Sequence, residues 1–399
     1  MPELIRRIEA ATPPDRDRTL DALRALAVLG VVLGHWLVTA LVADSGALHV
    51  ASPLHYLPGL APVSWLFQTL AVFFLGGGQA AGLSHRAATA RGTGYRGWLR
   101  ARLARLFRPV AALLVVWTLA AATMLAAGAG SDTVHTLAKL AVSPLWFLLV
   151  FAALTAATPL VARLHPAWPL AVVALVDLAR FAGNAPEALG YLNEAAGWLV
   201  PYCLGTAWSR GELRGRATGW ALLLGGAAAT AALVAWAGYP ASMVGVPGAA
   251  VSNLGPLTLA AVTFGLAQCG AALLLLGPLR RLTRRPAVWA AVALVNLSAM
   301  TVFLWHQTAM MAVTALALRL GGPLPGLHTT PDGLGWALAR LPWLPVFALA
   351  LLACRATFHP YEHPRAAAVP PRSTVVPVPD SPHSPSPRPH PLPEATSHA

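Results

Sequence analysis

Apolar runs of about twenty residues recur along this chain, and nothing else constrains its fold as tightly. Backbone groups placed in lipid must find hydrogen-bond partners inside their own segment, so such runs fold as helices. About ten spans are expected, at residues 22–42, 63–84, 108–128, 143–162, 168–184, 194–209, 217–237, 256–277, 293–318 and 335–355. The fifth and sixth are the weakest, being short and carrying Asp177 and Glu194. The chain is 56% hydrophobic and only 11% charged, against about 25% charged in an ordinary soluble domain. The expected fold class is an all-α polytopic membrane protein with about ten transmembrane helices.

The positive charges carry orientation. Of 28 Lys and Arg, all except Lys139, Arg180, Arg319 and Arg340 fall on one side if the N-terminus is cytoplasmic, with Arg24 counted at the inner end of the first span. That bias predicts both termini in the cytoplasm and a multi-pass protein of the plasma membrane. It also accounts for the net charge of +13 without nucleic acid, for which a basic soluble module with interleaved aromatics would be needed. Cys203, Cys269 and Cys354 lie far apart in or beside apolar runs, so they are expected to pack rather than to bridge or to bind metal. No metal site is expected.

Three parts follow from these patterns. Residues 1–19 form a cytoplasmic N-terminal segment, in which Leu4, Ile5 and Ile8 set against Arg6, Arg7 and Glu9 suit a short surface helix. Residues 20–355 form the transmembrane domain, whose first run is expected to act as an uncleaved anchor. The Pro-, Ser- and His-rich stretch 356–399 has no apolar period and is expected to be a disordered cytoplasmic tail.

Two histidines stand inside predicted spans, His35 in the first and His306 in the ninth, while the rest of the 13 are expected in loops or the tail. An ionisable group in the bilayer core is costly and marks a candidate site. Arg24 precedes His35 by 11 positions, which at about 100° per residue returns to the same helix face after roughly 16 Å of rise. That face suits an elongated ligand with an anionic end at the cytoplasm and a reactive end in the membrane. A positive-inside anchor for Arg24 and a bundle-bonded structural imidazole for His35 are the alternatives. Asp21, three residues before Arg24, can pair with it.

The basic stretch 95–109 places Arg102, Arg105 and Arg108 at intervals of three. Guanidinium groups bind phosphate bidentately, so this stripe suits a phosphate-bearing ligand at a membrane surface. Topology and contact with anionic lipid compete with that reading. In the second span, Gly76-Gly77-Gly78 after Phe73-Phe74-Leu75 permits close approach of a helix or of a ligand. Asp177 and Arg180 are spaced to form an ion pair, and Asn193 and Glu194 suit either an acceptor or water.

The order of these segments resembles the acyltransferase-3 family of integral membrane acyltransferases. The resemblance rests on Leu20-Asp21-Ala-Leu23-Arg24 followed by His35; on Phe73-Phe74-Leu75-Gly76-Gly77; on Arg100 to Pro109; on Pro144-Leu-Trp146-Phe147-Leu148; and on Leu304-Trp305-His306. It covers about residues 18–355, and the Ala/Arg/Pro-rich composition is similar to that of actinobacterial members. Two departures stand out: Gly76-Gly77-Gly78 where many relatives have Ser-Gly, and Phe147-Leu148-Leu149-Val150 where some carry a Glu.

The resemblance implies transfer of an acyl group, commonly acetyl, from acyl-CoA to a hydroxyl of a sugar, a cell-envelope glycan, a lipid-linked sugar or a secreted metabolite. It implies His35 and Arg24 as catalytic, with Arg102, Arg105 and Arg108 holding the phosphates of CoA. His306, Trp146, Phe74, Gly77 and Asp21 would support substrate. Acyl-CoA, with acetyl-CoA foremost, is then a co-substrate, and no bound cofactor is implied. His35 would take the proton of the acceptor hydroxyl, a neutral imidazole being a base of suitable strength near pH 7, or would carry the acyl group itself. A multi-span transporter or exporter with intramembrane histidines is the rival reading. A passive structural protein leaves the Arg24–His35 face without a purpose.

Overall fold

The computed structural model of the protein describes residues 2–362 apart from Ser45, Gly46, Asn184, Arg214 and Gly322. Helices dominate them. In chain order the main ones are α1 (Pro2–Ala10), α2 (Arg18–Val38), α3 (Leu70–Ala90), α4 (Tyr95–Ala126), α5 (Ser131–Val142), α6 (Leu145–Ala156) and α7 (Ala167–Phe181). They continue with α8 (Leu192–Ser209), α9 (Arg216–Trp236), α10 (Leu259–Leu282), α11 (Pro286–Leu297), α12 (Ala299–Gly321), α13 (Leu334–Arg340) and α14 (Trp343–Glu362). Between α2 and α3 a small antiparallel hairpin pairs β1 (Ala40–Asp44) with β2 (Ala47–Ala51), Ala40 opposite Ala51 and Asp44 opposite Ala47.

Seven stretches among the described residues are long and apolar enough to cross a membrane: α2, α4, the run Ser131–Ala156 that joins α5 to α6, α9, α10, α12 and α14. The all-α membrane architecture expected from the apolar runs is therefore present. Three other expected spans correspond to helices that are short or polar at one end. α3 carries Ser84-His85-Arg86 near its C-terminal end, α7 has only 15 residues, and α8 carries Asn193 and Glu194 in its first turn. Two expected spans are each divided. The ninth breaks at Ser298 between α11 and α12, and the tenth breaks before Trp343, where Pro342 cannot continue a helix.

Helix ends are held by side chains. Asp17 caps α2 by accepting from the backbone N–H groups of Thr19 and Leu20, both at 3.0 Å. The start of α12 is capped from far along the chain. The Glu362 carboxylate accepts from Met300 N at 3.2 Å, Thr301 N at 3.1 Å and Thr301 Oγ1 at 2.7 Å, an anion placed at the positive end of a helix. This cap explains why α14 runs to Glu362 rather than ending at the expected domain boundary of 355. The remainder of the expected tail, 363–399, lies outside the described residues. The N-terminal amphipathic helix is present as α1 and rests on α11, where Trp289 donates to Thr12 Oγ1 at 2.7 Å.

α2, α3, α8, α10 and α12 form the centre of the bundle, and the glycines of α3 and α8 bring those two helices into backbone contact. A Cβ at Gly78 would stand 2.2 Å from Tyr202 O, and one at Gly205 would stand 2.1 Å from Leu75 O. Any side chain there must force the pair apart.

Candidate functional site

Two cavities lie along α2. The first, of about 380 Å³, is lined by Arg24, Arg102, Arg105, Ser84, Thr155, Phe151 and Met300 among others. The second, of about 360 Å³, is lined by His35, Gln307, Gln68, Ser64, Trp146, Phe147, Phe303 and the hairpin residues Val50 and Ala51. Arg24 and His35 therefore each face a cavity from one helix, as their shared face predicts. The first is called the arginine cavity below, the second the histidine cavity.

In the arginine cavity the guanidinium groups converge because three helices supply them or their supports. Asp21, almost fully buried, pairs with Arg16 and lies 3.5 Å from Arg24 Nη1, so Arg24 is oriented from below as its spacing predicts. Arg102 donates to Ser84 Oγ of α3 at 2.6 Å, and its guanidinium lies over the Trp98 ring at 5.6 Å. Arg105 completes the lining. Arg108 is exposed and does not line the cavity. Three residues of helix turn through about 300°, so each step of the stripe falls back by about 60°. Across two steps Arg108 has rotated off the face that Arg102 presents. Of the expected three, Arg102 and Arg105 line this cavity together with Arg24, and Arg108 does not.

Phenylalanine rings separate the two cavities. Phe151 lines the first, Phe147 and Phe303 line the second, and the Phe147 and Phe151 rings stack with centroids 6.1 Å apart. Phe74 packs on Phe147 at 5.0 Å and stacks on Trp198 at 4.9 Å, and Phe73 meets Phe147 at 4.9 Å. Trp146 adjoins this cluster through Trp198 at 6.0 Å, lines the histidine cavity and is exposed overall. Gly77 makes room for the Phe151 ring, since a Cβ there would stand 2.3 Å from Phe151 Cε2. The neighbouring Gly78 admits the α8 backbone, so both glycines serve close packing between helices.

Behind the histidine cavity, His35, which lines it, meets the buried His306, with ring centroids 5.1 Å apart. His306 is fully buried, and its Nδ1–H donates to Phe303 O at 2.6 Å. Its Nε2 has no partner, and neither has Oε1 of the fully buried Gln307. Gln307 Nε2–H donates to His35 Nδ1 at 3.1 Å. Trp36, next to His35, donates from Nε1 to His306 O at 3.0 Å, tying α2 to α12 at this level.

The C-terminal end of α2 is held by a residue the sequence placed only as an outer charge. Arg340 is 1% exposed and donates to Trp36 O at 2.7 Å, Thr39 O at 2.8 Å and Gly326 O at 2.7 Å, with Phe347 stacked under it at 4.6 Å. A cation among the last carbonyls of a helix is favourably placed. The helix end that carries His35 is thereby fixed. Gln307, Ser84 and Phe151 do not stand out in the sequence either. Gln307 has a usable signal, a second polar residue directly after His306 in an apolar run.

Other polar groups in the bundle resolve into supports. Asp177 pairs with Arg180 at 3.6 Å and accepts from Asn193 at 2.9 Å, Tyr239 at 3.0 Å and Leu259 N at 2.7 Å. It thus joins α7, α8 and the start of α10, and neither cavity includes it. Burial, then the Asp177 charge beside it, pushes the Tyr239 phenol upward, so it stays a donor. Glu194 accepts from Leu257 N at 3.0 Å. Histidines expected outside helices are more varied than the sequence suggests. His85, His135 and His359 are helical, and the loop residue His328 is buried with both ring nitrogens bonded. Cys203, Cys269 and Cys354 are free thiols, the first two buried. Among the described residues no group of three or more His, Cys, Asp and Glu could hold a metal ion.

This arrangement, a helical membrane bundle with a basic cavity and an imidazole cavity on one helix, agrees with a family assignment. Residues 17–358 match the model of the acyltransferase-3 family, described as an acyltransferase domain, and the chain belongs to that family. No curated protein and no solved structure matches the chain.

Proposed function

We propose that this membrane acyltransferase moves an acyl group, acetyl foremost, from acyl-CoA to the hydroxyl of an uncharged acceptor. The observation that carries the proposal is the pairing of Arg24 and His35 with two separate cavities along α2. CoA bears its phosphates at one end and its thioester at the other. Arg24, Arg102 and Arg105 supply guanidinium donors of the kind that phosphates prefer, and no acidic side chain lines their cavity. With the N-terminus cytoplasmic, this is the face that cytoplasmic CoA meets. The pantetheine arm is thin enough to follow α2 for roughly 16 Å, provided the Phe147 and Phe151 rings turn aside.

The acceptor belongs in the histidine cavity. Its lining has hydroxyls and amides, such as Ser64, Gln68, Ser143 and Gln307, but no Asp, Glu, Lys or Arg. Such a wall suits a sugar or another neutral alcohol, with Trp146 as a flat apolar platform. Gln307 marks the docking point: its amide N–H already donates to His35 Nδ1, and an acceptor hydroxyl would take that place. His35 Nδ1 then receives the hydroxyl proton as the oxygen attacks the thioester carbonyl. The carbon–sulfur bond breaks and the thiolate leaves.

The test is transfer from radiolabelled acetyl-CoA by the purified protein in nanodiscs, supplied with a crude envelope and metabolite extract, beside His35→Ala. Label on an acceptor with the wild type alone supports the reading, and the product names the acceptor. If CoA neither binds nor turns over with a folded wild type, the reading falls and transport assays take its place.

A further inference from the structure

We infer that the acceptor presents two hydroxyls on adjacent carbons, a vicinal diol such as an unsubstituted sugar ring carries, and that Gln307 selects it. The inference rests on the acyl-transfer reading above and narrows its acceptor from an uncharged alcohol to a diol. The observation behind it is a half-used amide on the wall where the acceptor would dock.

The polar groups of the histidine cavity are not equally available. Ser64 Oγ donates to Ala61 O at 2.6 Å, Gln68 Nε2 to Met243 O at 2.6 Å and Ser143 Oγ to Leu140 O at 2.8 Å, so each is committed to a backbone carbonyl. Gln307 differs. It lines the cavity, is fully buried, and donates from Nε2 to His35 Nδ1 at 3.1 Å, while its Oε1 has no partner. Among the described residues it is the only one lining this cavity with such an orphaned side-chain atom. A buried polar oxygen without a partner is rare and calls for an explanation. Because Gln307 Nε2 can only donate, its bond also puts the His35 proton on Nε2 of the imidazole and leaves Nδ1 as the base.

A diol answers both halves of the amide. Its first hydroxyl enters between Gln307 and His35, donating to His35 Nδ1 and accepting from Gln307 Nε2–H. Its second hydroxyl, one carbon away, donates to Gln307 Oε1. The carboxamide carries donor and acceptor side by side on one carbon, which matches hydroxyls on neighbouring carbons. A simple alcohol fills only the first of these places and leaves Oε1 as it stands. Filling a buried orphan is expected to favour the diol about 10- to 100-fold in kcat/KM. Gln307 itself makes and breaks no covalent bond. The hydroxyl proton passes to His35 Nδ1, the oxygen bonds to the thioester carbon, and the thiolate leaves with the electron pair of the carbon–sulfur bond. The product is a diol acylated on one oxygen.

The test gives the purified protein in nanodiscs radiolabelled acetyl-CoA with one of two uncharged probes of similar size, cis-cyclohexane-1,2-diol or cyclohexanol. The wild type should acetylate the diol with kcat/KM about 10- to 100-fold above cyclohexanol, and equal values overturn the inference. Gln307→Met keeps the length of the side chain and removes its amide. It should lower kcat/KM for the diol about 10- to 100-fold more than for cyclohexanol. A loss shared equally by both probes, or no loss, overturns the inference, because a purely structural role does not distinguish them. If the variant fails to fold, the wild-type preference decides. If the wild type labels the crude extract but neither probe, the extract decides. Periodate, which cleaves the bond between carbons bearing adjacent hydroxyls, should abolish its acceptor capacity, compared with a portion given periodate already quenched with sulfite. Labelling that survives periodate overturns the inference. Absence of transfer to any acceptor by the wild type defeats the acyl-transfer reading instead, so the two failures are distinguishable.

Discussion

The two cavities on α2 are similar in volume and opposite in chemistry. One gathers three guanidinium groups and has no carboxylate in its lining; the other is lined by no Asp, Glu, Lys or Arg and presents the His35 imidazole with amides and hydroxyls. On the acyl-transfer reading proposed above, the difference separates binding from reaction. Attraction of an anionic ligand needs fixed positive charge at an accessible surface, where Arg24 is half-buried and Arg105 exposed. Proton transfer is proposed at His35, whose cavity is walled by apolar rings, amides and hydroxyls. A single helix, capped by Asp17 at one end and by Arg340 at the other, holds the two in register.

The sharpest way to break this division is at His35. His35→Ala should lower kcat by about 100- to 10,000-fold while leaving CoA affinity within a factor of about two, measured by turnover and by calorimetry. Arg24→Ala or Arg102→Ala should do the converse. Loss of one charge-assisted phosphate contact is expected to raise KM for acyl-CoA about 10- to 100-fold, with kcat nearly unchanged. If either arginine variant lowers kcat alone, the cavities are not divided as described. Arg340→Met tests the link between them. It leaves the carbonyls of Trp36 and Thr39 without their donor, and an unsatisfied buried group costs about 1–3 kcal/mol, so the thermal midpoint in detergent should fall and kcat should fall with it. Gly78→Ala should destabilise by about 1–3 kcal/mol through overpacking against Tyr202 O, with little change in KM. Arg108→Ala, on a guanidinium outside the cavity, should move KM for acyl-CoA less than about twofold.

Much of this is legible in the sequence because it depends on spacing within one helix. Arg24 and His35 lie on one α2 face by simple rotation, and the pairing of Asp21 with Arg24 follows from an interval of three. The same arithmetic, carried over two steps, shows why Arg108 leaves the set. What is not legible depends on contacts between distant segments. Arg340 reaches Trp36 across 304 positions, and Glu362 reaches Thr301 across 61. Gly77 looks like its neighbours until the Phe151 ring is placed against it. The tautomers of His35 and His306 depend on Gln307 Nε2 and Phe303 O, atoms whose aim no pattern of residue types specifies. Asp177 reads as an ion-pair member, and it is one, but its larger part is to hold the start of α10, which only the packing discloses.

The phenylalanine layer between the cavities has a consequence for the membrane as a whole. Phe73, Phe74, Phe147, Phe151 and Phe303 offer no group that can solvate an ion or pass on a proton. Moving a bare charge through such a zone is prohibitive without water to accompany it. A bundle with two hollows on one helix could easily short-circuit the bilayer it sits in; this one is insulated at its waist. Cells filled with the wild-type protein should hold their electrical potential, whereas trimming Phe147 and Phe151 together to Ala should let it leak.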